Sequence, residues 1–166
     1  MAMHYESLSP MPGNRLSEQP PLIPDLPGAR TILVVDDAAI VRRLAFRLLA
    51  EAGYRVFEAG SAAEALEVLD MARGQIALVL IDVVMPEVSG VDLAKMVREK
   101  APEARIVFMS AFPAEVLVRE GLRNPNVRFM AKPFTREELL TVVARSLAAE
   151  PDRSDRKPRS PGMTEP

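Results

Sequence analysis

Short apolar runs alternate along this chain with stretches whose apolar residues recur at helical spacing. The runs predict five strands, at residues 31–35, 55–58, 76–81, 105–109 and 127–131. The stretches between and after them predict five helices, at residues 38–52, 61–73, from 90, from 113 and 135–149. Strands that alternate with helices through short connections indicate an α/β fold, in which an open parallel sheet carries helices on both faces.

Two of the predicted helices begin at a sequence typical of a capping box. Ser61 precedes Glu64 by three positions, and Thr135 precedes Glu138 by the same spacing. In this motif the hydroxyl and the carboxylate each bind a backbone N–H that the first turn of a helix leaves unpaired. We therefore expect the second and the fifth helix to start at these residues.

Proline is concentrated at the two ends of the chain. Six of the 15 prolines lie in residues 1–30 and four lie in residues 151–166. We therefore predict a Pro-rich disordered tail at 1–30, one folded domain at 31–149 and a second disordered tail at 150–166. The first tail lacks the apolar segment of a signal peptide, and no stretch approaches the roughly 20 apolar residues that cross a membrane. A cytoplasmic protein is expected.

The composition removes several kinds of chemistry. The 166 residues include no cysteine and a single histidine, His4, which excludes disulfides and thiol nucleophiles and argues against a Ser-His-Asp triad. The net charge of −2 argues against direct binding of nucleic acid or of an anionic membrane. The chain also has no Gly-rich loop of the Walker or dinucleotide type, so no nucleotide site is predicted.

Polar side chains stand at the carboxyl ends of four predicted strands, where the sites of open parallel sheets lie. Asp36 and Asp37 follow the first strand, Asp82 the third, Ser110 the fourth and Lys132 the fifth. Three clustered carboxylates repel one another unless a cation compensates, and ligands that are all oxygen favour Mg²⁺. Lys132 and Ser110 are suited to bind a phosphoryl group that a carboxylate accepts. The alternative interpretation of the acidic pair is a helix N-cap.

These residues lie in motifs that resemble those of response-regulator receiver domains of two-component signalling. The matching pieces keep the family's order and spacing across residues 31–149, namely Val35-Asp36-Asp37, Asp82-Val83-Val84-Met85-Pro86 with Gly90, Ser110-Ala111 and Lys132-Pro133-Phe134. The resemblance implies a single domain with a doubly wound, flavodoxin-like sheet of five parallel strands in the order 2-1-3-4-5. It also implies a phosphoacceptor module that assists its own phosphorylation and dephosphorylation, rather than a dedicated enzyme.

The same resemblance implies a role for each residue of the acidic edge. Asp82 matches the phosphoacceptor and contributes to the Mg²⁺ site. Asp37 matches the direct metal ligand, and Asp36 its partner, which acts mainly through coordinated water. The backbone carbonyl of Val84 is the further protein contact with the metal, and Lys132 is implied to bind the phosphoryl group.

The resemblance also implies a conformational switch. Ser110 and Phe129 match the pair in which the hydroxyl moves to the phosphoryl group and the aromatic ring turns inward. The surface of the fourth helix, fifth strand and fifth helix is then expected to change its packing. The resemblance further implies a cis peptide bond between Lys132 and Pro133.

Two apolar positions flank the predicted phosphorylation site. Val84 lies two residues beyond Asp82, and Phe112 lies two residues beyond Ser110. Our hypothesis is that both side chains hinder the attack of water and lengthen the lifetime of the phosphoryl group.

The first predicted helix has apolar residues on two parts of its circumference. Val41, Leu44 and Leu48 form the expected core stripe. A second set is expected to lie elsewhere on the helical wheel and is interpreted as a docking surface, namely Ala39, Phe46 and Leu49. The resemblance implies a sensor histidine kinase or a histidine phosphotransfer protein as the partner, and it is compatible with a homodimer. The alternative is a modest exposed patch without a partner.

The function predicted from the sequence is a Mg²⁺-dependent phosphoacceptor that receives its phosphoryl group from phosphohistidine. After residue 149 nothing predicts an output domain, so a stand-alone regulator that acts through protein contacts is expected. The alternatives are the receiver portion of a hybrid histidine kinase, or a scaffold domain that kept only the fold. A phosphatase or phosphotransferase with an aspartyl nucleophile would need a further acid–base group and a substrate cap, and the sequence predicts neither.

Overall fold

A computed structural model of the chain describes residues 30–111 and 128–149. Its five parallel strands form one sheet in the order β2-β1-β3-β4-β5, which confirms the expected topology. The strands are β1 (Thr31–Val35), β2 (Arg55–Ala59), β3 (Ile76–Asp82), β4 (Arg105–Ser110) and β5 (Arg128–Ala131). β3 and β4 run one residue further than predicted, so Asp82 and Ser110 are the last residues of their strands.

Four helices are described, and they lie in the predicted order between and after the strands. They are α1 (Ala39–Glu51), α2 (Ala62–Ala72), α3 (Gly90–Lys100) and α4 (Arg136–Ala148). The helix α4 is the last of the five predicted helices. The helix predicted from Pro113, together with Phe112, lies outside the described residues. Within the described part of the chain, no helix is long and apolar enough to cross a membrane.

The sheet separates two apolar cores because successive strand residues point to opposite faces. In β1, Leu33 and Val35 pack with residues of α2 and α3, whereas Ile32 and Val34 pack with residues of α1 and α4. β3 follows the same alternation, and both strands are buried along their apolar length. This two-sided burial explains why residues 32–35 and 76–81 are apolar throughout rather than at every second position.

The two predicted capping boxes have different outcomes. At Thr135 the box is complete, because the hydroxyl accepts from the Glu138 N–H at 3.2 Å and the Glu138 carboxylate accepts from the Thr135 N–H at 2.8 Å. At Ser61 the hydroxyl accepts from the Glu64 N–H, but the Glu64 carboxylate accepts from the N–H of Gly60 instead. The capping box at Ser61 is therefore only half formed, although its helix begins where predicted.

The buried stripe of α1 is not the one that the sequence predicts. Ala45 and Leu49 are fully buried against the sheet, whereas Ile40 is 86% exposed and Leu44 is 38% exposed. The prediction placed Leu44 in the core and Leu49 on the docking surface, and both assignments are wrong. Ala45 and Leu49 pack with the apolar residues of β1 and β3.

The chain enters and leaves the described domain at the amino edge of the sheet. Arg30, just before β1, donates to the Leu147 carbonyl at 3.5 Å. Arg105, the first residue of β4, donates through Nε and Nη2 to the Ala149 carbonyl at 3.0 and 2.9 Å. Both contacts bind carbonyls that the end of α4 leaves unpaired within the helix.

Candidate functional site

Three carboxylates meet at the carboxyl edge of the sheet, as the strand ends predict. Asp36 and Asp37 follow β1, and Asp82 ends the neighbouring β3. One ligand oxygen from each lies within 4.8 Å of the others. Asp36 and Asp82 are buried, whereas Asp37 is exposed.

Lys132 provides a positive charge to this cluster. Its Nζ lies 2.6 Å from Asp36 Oδ2 and 3.0 Å from Asp82 Oδ2, and its side chain is 15% exposed. The residue follows β5, where its N–H donates to the Ser110 carbonyl at 2.8 Å, and the Lys132–Pro133 bond is cis, as expected. Its ammonium group therefore lies between two of the three carboxylates.

Backbone donors orient the two buried carboxylates. Asp36 Oδ1 accepts from the Ala38 N–H at 2.9 Å, and Asp82 Oδ1 accepts from the Val84 N–H at 3.3 Å. The N-cap of α1 is Ala38, so neither Asp36 nor Asp37 has the position that the N-cap interpretation requires. Asp36 instead closes a short turn, of the kind that aspartate forms with the backbone two residues on.

The surroundings of Asp82 disfavour its charged form. Burial raises the pKa of this carboxyl above its usual range, and the nearby Asp36 charge raises it further. The Lys132 ammonium opposes this effect through its hydrogen bond and its charge, and so does the Val84 N–H. The net direction is upward, which indicates that one ammonium group does not compensate the burial of this charge.

The donor set of this cluster fits a hard divalent cation. Its ligands are carboxylate oxygens without histidine or cysteine, which suits Mg²⁺. Among the described residues, the buried Asp36 Oδ2 makes its ion pair with Lys132 but no hydrogen bond of good geometry. A cation at this edge would supply the charge that three carboxylates and one ammonium group lack. The Val84 side chain is exposed, and its N–H donates to Asp82. The role of the Val84 carbonyl stays a prediction.

The predicted switch residues lie on the two neighbouring strands β4 and β5. Ser110 is buried at the end of β4, next to Ala131 in the strand register. Phe129 is half-buried and stacks on Phe108, with ring centroids 5.4 Å apart. The switching role of Ser110 and Phe129 stays a prediction.

The predicted docking residues do not share one surface. Ala39 is exposed, Phe46 is half-buried against the α1–α4 side of the core, and Leu49 is fully buried. The large apolar side chains that α1 exposes are instead those of Ile40 and Leu44, one helical turn apart. Ile40 was not among the predicted docking residues, although its spacing to Leu44 is that of residues on one helix face.

Gly90 has a structural role that its place in the motif alone does not reveal. It begins α3, and its N–H donates to the Val83 carbonyl at 2.9 Å. A Cβ at this position would lie 2.0 Å from the Asp82 carbonyl oxygen and 2.8 Å from Val83 Cα. Only glycine therefore lets the start of α3 approach the backbone that carries Asp82.

Comparison with known proteins gives one consistent family. Residues 32–144 match the family model described as response regulator receiver domain. The chain is 31% identical over 120 residues to the response regulator receiver protein CpdR of Brucella abortus, covering 72% of this chain and 98% of that protein. It is 36% identical over 123 residues to the sensor kinase CckA of the same species, where the match covers 74% of this chain but spans only 13% of the kinase.

One of the similar solved structures contains Mg²⁺. The response regulator protein TrrA of Thermotoga maritima, in complex with Mg²⁺-BeF, is 32% identical to this chain. The match has a TM-score of 0.60 and covers 70% of this chain and 97% of that chain. The shared domain is thus nearly the whole of the chain in that structure.

Proposed function

Because this chain belongs to the family of response regulator receiver domains, we propose that it is a Mg²⁺-dependent phosphoacceptor that takes its phosphoryl group from phosphohistidine. The acceptor is Asp82, at the end of β3. The donor is a sensor histidine kinase or a histidine phosphotransfer protein. The observation that carries this proposal is the ammonium group of Lys132, within 3.0 Å of both Asp36 and Asp82.

The proposed reaction is the transfer of a phosphoryl group from nitrogen to oxygen. A carboxylate oxygen of Asp82 forms the new P–O bond, the P–N bond of phosphohistidine breaks, and its electron pair stays on the imidazole of the donor. Lys132, which already reaches Asp82, offsets the negative charge of the transferred group. Held by Asp36, Asp37, Asp82 and the Val84 carbonyl, Mg²⁺ would add positive charge next to the phosphoryl oxygens.

The proposed output is a change in protein contacts. Ser110 binds the new phosphoryl group, and Phe129 turns toward the space that this movement opens, which biases the packing around β4 and β5. The match along 98% of CpdR supports a regulator that acts without an output domain. The match to part of CckA supports the second candidate, the receiver portion of a hybrid kinase.

Intact-mass measurement after incubation with acetyl phosphate and Mg²⁺ tests the phosphoacceptor. The wild-type protein is expected to gain the mass of one phosphoryl group, and Asp82→Asn to gain none. Asp70→Asn is the matched control, because this carboxylate is exposed on α2 and pairs with Lys100 rather than with Lys132. Equal labelling of the wild type and Asp82→Asn would contradict the assignment of Asp82.

We place the docking of the donor protein on the exposed face of α1, around Ala39, Ile40 and Leu44. An apolar side chain that is 86% exposed, such as Ile40, is suited to be buried by a partner. Ile40→Asp is therefore expected to slow transfer from the phosphorylated partner at least about tenfold, which corresponds to about 1.4 kcal/mol. Labelling by acetyl phosphate, which needs no docking, should be unchanged, and Met71→Asp on α2 serves as the control for an exposed apolar residue. Equal transfer rates for Ile40→Asp and wild type would exclude this surface.

A further inference from the structure

Arg42 of α1 contacts the backbone of Asp36 and Asp37, yet no part of the proposed reaction uses it. The residue is in the first turn of the helix, where its N–H donates to the Ala38 carbonyl at 3.0 Å. Its side chain is only 19% exposed. An arginine that is mostly buried at the edge of a site needs partners for its guanidinium group.

The guanidinium group binds the backbone on both sides of Asp37. Nη1 of Arg42 donates to the Asp36 carbonyl at 2.5 Å and approaches the Asp37 carbonyl at 3.5 Å. These two carbonyls belong to the peptide groups that precede and follow the Cα of Asp37. Their orientation decides the direction in which the Asp37 side chain leaves the backbone.

Glu58 pairs with the guanidinium group in this position, and Gly60 leaves space for it. Nε of Arg42 lies 3.7 Å from Glu58 Oε1, a buried oxygen that has no hydrogen bond within the described residues. A Cβ on Gly60 would lie 3.2 Å from Nη1 of Arg42, so this glycine leaves space for the group. Arg42 therefore ties the end of β1 to the end of β2.

The side chain of Asp37 has fewer contacts that fix its position than the two buried carboxylates have, within the described residues. Asp36 and Asp82 accept backbone hydrogen bonds and contact Lys132. Within residues 30–111 and 128–149, the carboxylate of the exposed Asp37 has no such hydrogen bond or ion pair. Its position consequently depends on the backbone to which it is attached.

We propose that Arg42 is a positioning residue for the metal site, which holds the peptide groups on either side of Asp37 and so directs this carboxylate toward the cation. The proposal rests on the proposed function only in taking Mg²⁺ as the ion that binds there. Residues that orient metal ligands commonly change metal affinity about tenfold or more when they are removed.

Calorimetric titration with Mg²⁺ alone, on the full chain, tests the proposal without a phosphodonor. Arg42→Met keeps much of the aliphatic stem but no donor, and we expect its dissociation constant for Mg²⁺ to rise about tenfold. Arg43→Met is the matched control, since Arg43 is the exposed neighbour on the same helix, and it should bind Mg²⁺ as the wild type does. Arg42→Lys, which keeps the charge and one donor site, should lie between them.

A second measurement separates positioning from a general loss of structure. At Mg²⁺ concentrations that saturate each variant, Arg42→Met should be labelled by acetyl phosphate at the wild-type rate, because Arg42 contacts the Asp36 and Asp37 carbonyls and Glu58 rather than the acceptor carboxylate. Circular dichroism verifies that the variant is folded at the temperature used. Should Arg42→Met not fold, Arg42→Gln is assessed by the same two measurements.

The outcomes distinguish this proposal from the proposed function. If the folded Arg42 variant binds Mg²⁺ as tightly as the wild type, or stays slow at saturating Mg²⁺, the positioning role is wrong while the phosphoacceptor stands. If the wild type binds Mg²⁺ but is not labelled, the phosphoacceptor is wrong while the comparison of metal affinities still tests Arg42. If the wild type binds no Mg²⁺, both proposals are wrong.

Discussion

At the scale of single residues, Asp82 combines a functional position with an unfavourable one. Its burial raises the pKa of the carboxyl, although Lys132 is in contact with it. Replacing Asp82 with a neutral side chain of similar shape avoids the desolvation of this charge, and Lys132 still pairs with Asp36, so no buried charge is left without a partner. The charged carboxylate of Asp82 therefore destabilises the folded protein, and a bound cation would offset this destabilisation.

We expect Asp82→Asn to raise the free energy of unfolding by about 1 kcal/mol when a chelator removes divalent cations. Urea unfolding followed by circular dichroism measures this difference. Added Mg²⁺ should then narrow it, because the ion binds the folded wild type more tightly than the variant. Asp70→Asn provides the control, and a variant less stable than the wild type in chelator would contradict the expected sign.

Gly90 is a residue where a single methyl group meets backbone rather than a movable side chain. We expect Gly90→Ala to lower the free energy of unfolding by about 3 kcal/mol, because the new Cβ cannot occupy its place without moving the Asp82 carbonyl. Gly60→Ala is the control, since its Cβ would meet the movable end of Arg42 instead. Urea unfolding of both variants makes the comparison, and similar losses would show that the contact at Asp82 is not decisive.

At the scale of elements, the start of α4 depends on the capping box at Thr135. Thr135→Ala removes the hydroxyl that accepts from the Glu138 N–H, and we expect a loss of about 1 kcal/mol in the free energy of unfolding. Thr141→Ala is the control, because Thr141 is exposed within the same helix and alanine favours helices. Thermal unfolding followed by circular dichroism checks the order of the two variants.

The same capping box predicts a dependence on pH. The Thr135 N–H, and then its hydroxyl, lower the pKa of Glu138 below the usual range of a glutamate carboxyl. A carboxyl whose pKa is lowered on folding stabilises the protein above its unfolded pKa, and this contribution disappears as the pH falls through the folded pKa. We therefore expect the wild type to lose more stability than Glu138→Gln when the pH falls below about 4.5. Parallel losses in urea unfolding across that range would contradict this role.

The elements also show where sequence reasoning succeeded and where it did not. The fully apolar runs of β1 and β3 leave no choice of face, so their strands could be predicted directly. On α1, apolar residues occur around most of the helix, and the periodicity alone does not decide which of them faces the sheet. The packing of Ala45 and Leu49 decides it, and this depends on how closely the helix approaches the strands.

At the scale of the whole molecule, the topology explains why the candidate site could be predicted well. Parallel strands place their carboxyl ends at one edge, so Asp36, Asp82 and Lys132 meet although they are far apart in the sequence. The contributions of Arg42 and Gly90 could not be predicted in this way. Both act through backbone atoms of other residues, and such contacts follow from the exact approach of two elements rather than from residue types.

The contacts of Arg30 and Arg105 with the end of α4 have a practical consequence. The contact of Arg30 with Leu147 holds the first described residue near the end of α4, at the edge of the sheet opposite the three carboxylates. A short peptide that joins residue 149 to residue 30 should therefore permit a circular permutant with new ends elsewhere. By the same geometry, a surface anchor or a fluorescent protein attached there would leave the acidic edge facing the solution.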